Sequence, residues 1–349
     1  MPHLGPVVSR NPSARQSALK AVSQAVDTRG SVLRQRPVCW RSLRPASRVL
    51  DIHKGSDHGT LKNTRASGSE NRTLGGKWQG MNTPGDRLWL FGMPVMERHR
   101  QRQEGRSAAG HPMTTLEAAT YLGIPNALYV TQHNFPEPPF DSYARALVSM
   151  QRVVWSILGD SRSDRNDIDE VVRLGEHFPN ITGGIMDDFF RHPRREGPVG
   201  RFSLEQVDEF RERLHAAARP LELWVVIYAH QLGMETDEHL ARCDVVTFWN
   251  WWGRELDDLE ENFARLEGRA GDRRKLLGCY FSDPGNAEEG GDGILPLERM
   301  QRQCQAGLSW MKEGRLEGII FLGNPVCGLG LETVEWTREW IAHIANEKS

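Results

Sequence analysis

The sequence has no long hydrophobic run, few cysteines and no glycine-rich phosphate loop. Each absence argues against a class of protein or of binding site. No stretch approaches the roughly 18 apolar residues of a membrane-spanning helix, so we expect no membrane association. The five cysteines show no CxxC pair and no zinc-ligand spacing, which favours reduced thiols in a cytoplasmic protein. Neither GxGxxG nor the P-loop pattern GxxxxGK(S/T) follows the first apolar run, which argues against a doubly wound dinucleotide-binding sheet.

Leu, Ile, Val and Phe are scarce in the first 80 residues, where basic residues predominate. Up to Lys77 there are 14 Lys and Arg against 4 Asp and Glu, which leaves 30 basic and 42 acidic residues for the remainder. We expect residues 1–80 to be a disordered basic extension. The same composition is typical of an organelle transit peptide, and Met81 is an alternative start of the working chain. There is no repeated pattern of aromatic residues among the basic ones, so a nucleic-acid partner is not expected.

From residue 87 onward, short apolar runs alternate with longer segments whose apolar residues have helical spacing. The runs are nearly continuous, as expected for strands buried on both faces of a parallel sheet. The predicted strands span 87–94, 127–133, 152–160, 181–188, 221–230, 244–251, 275–282 and 316–324. The predicted helices span 114–122, 140–150, 167–178, 203–218, 236–243, 256–267, 296–313 and 331–346, with Thr114 or Thr115 and Ser203 as N-caps of two of them. Eight strand–helix units predict an α/β fold of the (β/α)8 TIM-barrel class over residues 81–349.

Polar and ionisable residues collect at the carboxyl ends of the predicted strands, whereas the strand starts show no such cluster. In this class of barrel those ends converge on one mouth, which holds the active site. Flat aromatic faces among Asp, Asn, Gln and His suit a sugar ring, so we expect a small-molecule or oligosaccharide ligand. The residues expected to bind it are Gln132, His133, Asp160, Tyr228, His230, Trp249, Asn250, Trp251, Glu255, Tyr280 and Asn324.

Asp187 and Asp188 end the fourth predicted strand. Because adjacent residues of a strand point to opposite faces, one carboxylate should face the barrel mouth and the other the helix layer or the following loop. The sequence leaves open which of the two faces inward. Alternatively, both have structural roles, one as a helix or loop cap and the other as the partner of an arginine such as Arg191.

The segment Gly184-Ile-Met-Asp-Asp-Phe189, together with the architecture of residues 87–345, resembles the glycoside hydrolases built on TIM barrels. Many of those families place an acidic residue at the end of strand 4 in a similar context. The resemblance implies acid/base cleavage of a glycosidic bond by two carboxyls, without a cofactor or metal. A Glu directly at a strand end, common in those enzymes, is absent. The implied catalytic pair is Asp187 or Asp188 with Asp283, with Asp160 and Glu255 as alternatives.

Two other functions stay open. His133, Asp187, His230 and Asp283 could hold a divalent metal, as in barrel sugar isomerases, epimerases or hydrolases, although no HxH or HExxH pair is present. Without a working pair of acids, the same mouth would make a non-catalytic carbohydrate-binding barrel, because a fold does not determine a function.

Overall fold

A computed structural model describes residues 83–96 and 111–345, which contain a closed barrel of eight parallel strands. Each strand pairs with its neighbour in the chain, and the last closes the ring on the first, with Leu88 opposite Ile319. The strands are β1 (Leu88–Gly92), β2 (Asn126–Tyr129), β3 (Arg152–Leu158), β4 (Ile181–Met186), β5 (Glu222–Tyr228), β6 (Val245–Trp249), β7 (Arg274–Tyr280) and β8 (Gly318–Leu322). The predicted barrel is confirmed and the doubly wound sheet is excluded. The predicted extension, residues 1–80, lies outside the described residues.

Helices follow the strands in the order expected for a barrel of this class. They are α1 (Thr115–Leu122), α2 (Asp141–Ala146), α3 (Ile168–His177), α4 (Leu204–His215), α5 (Asp237–Leu240), α6 (Leu259–Ala270), α7 (Pro284–Glu288), α8 (Leu297–Glu313) and α9 (Glu332–Ile344). Two of them begin at predicted N-caps. The Thr114 hydroxyl accepts a hydrogen bond from the Glu117 amide, and the Ser203 hydroxyl accepts one from the Gln206 amide, so each closes a capping box.

Several predicted strands extend too far at their carboxyl ends. β2 ends at Tyr129 rather than residue 133, β5 at Tyr228 rather than 230, and β6 at Trp249 rather than 251. Apolar residues such as Val130, Ala229 and Trp251 continue beyond these points, although the pairing between strands has already ended. The residues after the strand ends therefore lie in loops at the mouth, where they can contact a ligand.

Two hydrophobic layers stabilise the barrel. The outer layer packs the outward faces of the strands against the helices, and it includes the free, buried Cys243 and Cys279. The inner layer fills the barrel with large side chains from alternating strand positions, and burying each one contributes about 1.5–3 kcal/mol. Its members are Trp89, Phe91, Leu128, Val130, Val154, Ile185, Trp224, Val226, Tyr228, Val245, Trp249, Leu276, Tyr280 and Ile320. Because Ile185 belongs to the inner layer, Asp187, two residues further, faces the same way.

In the described ranges, the model contains no helix whose length and apolar character would let it cross a membrane.

Candidate active site at the barrel mouth

A cavity of about 360 Å³ lies at the carboxyl ends of the strands. Side chains of the inner layer, such as Phe91, line its apolar part. We call it the central cavity. It brings together nine of the residues predicted to form the site, from six strand ends: Gln132, His133, Asp160, Asp187, Asp188, Tyr228, Trp249, Trp251 and Tyr280.

Asp187 is the inward-facing carboxyl of the pair, and only 5% of its surface is exposed. Burial raises the pKa of Asp187 well above its usual range, and the nearby carboxylates of Asp188 and Asp160 raise it further. Such a carboxyl keeps its proton to a higher pH than an exposed aspartate does. It is therefore suited to donate a proton to a bound ligand.

Asp188 leaves the strand in a left-handed conformation, with φ of 40°, which is uncommon for a residue other than glycine. Its Oδ1 accepts a hydrogen bond from Tyr228 Oη at 2.7 Å, and its Oδ2 accepts one from the Ser161 amide at 2.9 Å. Burial raises the pKa of Asp188, while these two hydrogen bonds oppose the rise. The donors favour the ionised carboxylate, so Asp188 loses its proton before Asp187. Its carboxylate is held by Tyr228 and Ser161, not by Arg191 as one interpretation of the sequence had it.

Asp160 organises the loop after β3 and positions His133. Its Oδ1 accepts hydrogen bonds from the His133 amide at 2.9 Å and from Ser163 Oγ at 2.8 Å. Its Oδ2 lies 3.2 Å from His133 Nε2. The carboxylate is thus engaged by its neighbours, and its charge contributes to the raised pKa of Asp187.

Aromatic rings form one side of the central cavity. The partly exposed Trp251 lies edge-on to Tyr228 and Tyr280, with ring centroids 5.7 and 5.8 Å apart. Trp249 is buried deeper, and its Nε1 donates to Thr247 Oγ1 at 2.9 Å. The Trp249 indole lies directly against Gly278, where a Cβ atom would be 2.0 Å from the ring. Trp251, Tyr228 and Tyr280 are therefore the rings available to a ligand, while Trp249 packs the base.

Two predicted site residues have structural roles outside the central cavity. Asp283 Oδ1 accepts a hydrogen bond from the Asn286 amide at 2.9 Å, so the proposed second catalytic acid is the N-cap of α7. Asn324 is fully buried, and its Oδ1 accepts from the Met93 amide at 2.8 Å while its Nδ2 donates to the Met113 carbonyl at 2.7 Å. Both follow strands as predicted, but their polar atoms are occupied by the protein. The structure thus makes Asp283 a helix cap and Asn324 a link between loops.

Asn250 and Glu255 also lie outside the set that lines the central cavity. Asn250 is buried and follows the inward-facing Trp249, so it points away from the barrel interior. Glu255 Oε2 accepts a hydrogen bond from the Trp252 amide at 3.1 Å, and its Oε1 lies 3.9 Å from His230 Nδ1. Burial raises the pKa of Glu255. Its position beside His230 makes it a support for that ring rather than a group at the central cavity.

A second cavity, of about 310 Å³, shares Ser161, Asp188, Tyr228 and Trp251 with the central one. We call it the side cavity. The predicted ligand residue His230 lines it, with its ring stacked on Tyr228 at 5.4 Å. Burial, and then the neighbouring His192, lower the pKa of His230 to about 4, so the ring is neutral at physiological pH.

Sequence reasoning missed the arginines of the side cavity, which are Arg191, Arg195 and Arg201. A signal was present, because residues 191–201 contain four arginines directly after the Asp187-Asp188 strand end. A charge run in a loop is most often only solvated, and the sequence does not show that this loop folds back over the mouth.

The four residues of the predicted metal set are not brought together. His133 and Asp187 line the central cavity, His230 lines the side cavity, and Asp283 caps α7. Among residues 83–96 and 111–345, no group of three or more His, Cys, Asp or Glu side chains is arranged to hold a metal ion.

No protein-family model matches the sequence, and no curated protein is significantly similar to it. Solved structures with a similar fold include the catalytic domain of a chitinase from Pyrococcus furiosus, at 9% identity and a TM-score of 0.47, covering 77% of this chain and 99% of that one. A family 51 α-L-arabinofuranosidase from Bifidobacterium longum is 11% identical with a TM-score of 0.45, over 69% and 67% of the two chains. An uncharacterized protein from Clostridium thermocellum is 12% identical with a TM-score of 0.43, over 74% and 95%. These similarities concern the barrel architecture.

Proposed function

We propose that this protein hydrolyses a glycosidic bond, with Asp187 as the general acid and Asp188 as the ionised carboxylate that acts as nucleophile or base. The observation that carries the proposal is the pair of adjacent carboxyls, held in different environments at one aromatic-lined cavity. Glycosidases that retain and those that invert configuration both use two carboxyls, one as the acid and the other as nucleophile or base. Environments that separate the pKa values of two carboxyls assign the acid and the base.

The contacts of the Asp187 and Asp188 carboxyls support the assignment of the catalytic proton to Asp187. Asp187 is buried beside two other carboxylates, so its neutral form is favoured and a proton is available for the leaving-group oxygen. Asp188 accepts hydrogen bonds from Tyr228 and Ser161, which favour its negative charge. A negative carboxylate next to the reacting carbon stabilises the positive charge that develops there in the transition state.

The remaining residues of the central cavity suit a sugar. Its volume of about 360 Å³ falls in the range of small-molecule sites. Trp251, Tyr228 and Tyr280 offer ring faces and edges to the C–H groups of the sugar. Gln132 and His133 stand on the polar side, where they would hydrogen bond to hydroxyls.

The test is hydrolysis of a panel of aryl glycosides by the full chain, followed through release of the phenol. We expect Asp187→Asn to lower kcat roughly 10²- to 10⁴-fold for poor leaving groups. The loss should be smaller for activated phenols, because a leaving group that needs no proton does not depend on the general acid. Asp188→Asn should lower turnover whichever phenol is released.

The matched control is Asp272→Asn, which makes the same change at an exposed aspartate just before β7, at the opposite end of the barrel. It should keep the wild-type rate. Wild-type turnover by Asp187→Asn would contradict the proposal. Glycoside binding by the wild type, without turnover of any member of the panel, would instead indicate a non-catalytic carbohydrate-binding barrel.

A further inference from the structure

The side cavity differs from the central one in charge. Arg191, Arg195 and Arg201 line it, together with the carboxylates of Asp188 and Glu288. Glu288 Oε2 already accepts a hydrogen bond from Trp251 Nε1 at 3.1 Å, and Asp188 is held by Tyr228 and Ser161. Both acids on this side are therefore engaged by neutral donors, and the guanidinium groups are in excess.

Two of the three arginines are available to a ligand. Arg201 donates to the carbonyl oxygens of Asp160, at 3.2 Å, and of Ser163, so it joins two loops of the mouth. Within the described part of the chain, Arg191 and Arg195 form no ion pair with any carboxylate, and both are exposed. Asp188 and Glu288 line the same cavity, but neither is bonded to these two guanidinium groups.

The loop that carries these arginines has an anchored base. Phe190 and Gly200 form an antiparallel bridge, and the Arg191 amide donates to the Val199 carbonyl at 3.0 Å. Gln231 Nε2 donates to the Phe190 carbonyl at 2.9 Å, which ties the loop to the end of β5. At Gly200 a Cβ atom would lie 2.6 Å from the Phe189 ring, so the close approach requires glycine. The base of the loop therefore keeps Arg191 and Arg195 beside the side cavity.

We propose that the side cavity binds a negatively charged substituent of the substrate, a carboxylate, phosphate ester or sulfate ester. The inference rests on the proposed hydrolysis at Asp187 and Asp188. Because the two cavities share Asp188, Tyr228 and Trp251, one ligand can occupy both. Guanidinium groups bind oxyanions through charge-assisted and often bidentate hydrogen bonds. His230 is neutral above a pH of about 4, so the positive charge at physiological pH comes from the arginines.

The carboxylates of the side cavity also orient the ligand. An anionic group placed near Asp188 or Glu288 is repelled, whereas the same group placed at Arg191 and Arg195 is attracted. A neutral sugar can accept hydrogen bonds from the arginines, but it offers them no opposite charge. The arrangement therefore favours a charged substituent over a neutral one. It also disfavours a ligand bound in the reversed orientation.

The test is calorimetric titration of the wild-type full chain with glucose, glucuronate, glucose 6-phosphate and glucose 6-sulfate, which share one ring and differ at one position. We expect at least one charged sugar to bind about 10-fold or more tightly than glucose. The double variant Arg191→Gln/Arg195→Gln should lose most of this preference. The control Arg265→Gln/Arg302→Gln removes two exposed arginines from the outer helices α6 and α8 and should retain it. The tightest of the three anions identifies the substituent.

Equal affinities for glucose and for all three anions, or no binding of any of the four sugars, would overturn the inference. So would equal loss of the preference in both double variants, because that result indicates diffuse surface charge. Binding does not require turnover, so the two proposals fail separately. A charge preference without hydrolysis of any glycoside rejects the catalytic role alone, whereas hydrolysis without a charge preference rejects the anion site alone.

Discussion

Tyr228 donates its phenolic hydrogen to Asp188 Oδ1 at 2.7 Å and so joins the end of β5 to the end of β4. The same ring stacks on His230 and lies edge-on to Trp251, and it lines both cavities. Burial raises the pKa of Tyr228 well above its ordinary value, and the charge of Asp188 raises it further, so the hydroxyl stays a donor. One side chain therefore connects the proposed ionised carboxylate to the aromatic side of the site.

Tyr228→Phe should shift the pH dependence of activity. The variant removes a donor that favours the ionised form of Asp188, so the pKa of Asp188 rises. The acidic limb of the profile of kcat/KM against pH should move to higher pH, with a loss of roughly 10- to 100-fold at the optimum. Tyr121→Phe, which removes the bond to Glu335 Oε1 at 2.6 Å between outer helices, should leave the profile in place. An unmoved acidic limb in Tyr228→Phe would show that Asp188 does not titrate in the reaction.

Asp187→Asn should raise thermal stability, and the gain should grow with pH. The pKa of Asp187 is higher in the folded than in the unfolded chain, so the folded state binds more protons. The resulting stability is fully present below the unfolded pKa of about 3.9 and is lost as the pH rises through the folded value. Asn stays neutral throughout, so calorimetry from about pH 4 to 8 should show a widening Tm difference, at about 2–4 °C per kcal/mol. A lower Tm for the variant at every pH would contradict the buried, protonated state of Asp187.

Asn324→Ala should destabilise the fold. The change leaves the Met93 amide and the Met113 carbonyl without their partner, at a cost on the order of 3 kcal/mol measured by urea unfolding. Asn250→Ala is the matched control, because in the described ranges the buried amide of Asn250 has no hydrogen-bond partner to lose. Asn250→Ala should lower the free energy of unfolding by less than Asn324→Ala does. If Asn324→Ala instead kept its stability and bound sugar weakly, the role predicted from the sequence would be restored.

Gly278→Ala should disturb the base of the central cavity. The new methyl group would overlap the Trp249 indole, at 2.0 Å, and forcing that ring aside should cost about 1–3 kcal/mol. Gly268→Ala is the control, because Gly268 lies in α6 with no neighbour within 4 Å of the added atom. There, alanine should stabilise the protein by about 0.5–1 kcal/mol. In denaturant unfolding, the two variants should therefore change the free energy of unfolding in opposite directions. A change of the same sign in both would contradict the close packing of Trp249 on Gly278.

The barrel was predictable because its signals are local. Each apolar run is followed by a helix-periodic segment, and the capping residues Thr114 and Ser203 mark helix starts in the sequence itself. The alternation of strand side chains then predicted that one carboxyl of the pair 187–188 faces the mouth. It did not say which, because a single wrong position in the register reverses the assignment. The inward-facing Ile185 decided in favour of Asp187, but Asp188 lines the central cavity as well, because its left-handed backbone, with φ of 40°, departs from strand alternation.

The roles of individual strand-end residues were not predictable, because their partners are distant in the chain. Asn324 bonds to Met93, 231 positions away, and that contact forms only when the ring of strands closes. Asp283 is the exception, because its partner is the Asn286 amide only three residues further on, and Pro284 at the first helical position is a helix-start signal that the sequence interpretation missed. In the sequence, the arginines of residues 191–201 have the pattern of a solvated loop. Only the bridge between Phe190 and Gly200 shows that they lie at the barrel mouth.

By itself, the sequence determined the number and order of the strands, eight of the nine α-helices of the described residues, and the end of the barrel at which acids, histidines and aromatic rings gather; the short α7 was missed. Propensity, periodicity and capping act over a few residues, so they can be read along the chain. Only the tertiary structure decided which of those side chains share a cavity, which carboxyl has the more strongly raised pKa, and which polar groups are already occupied. Burial and hydrogen bonding between distant segments set these properties, and they exist only once the barrel is closed.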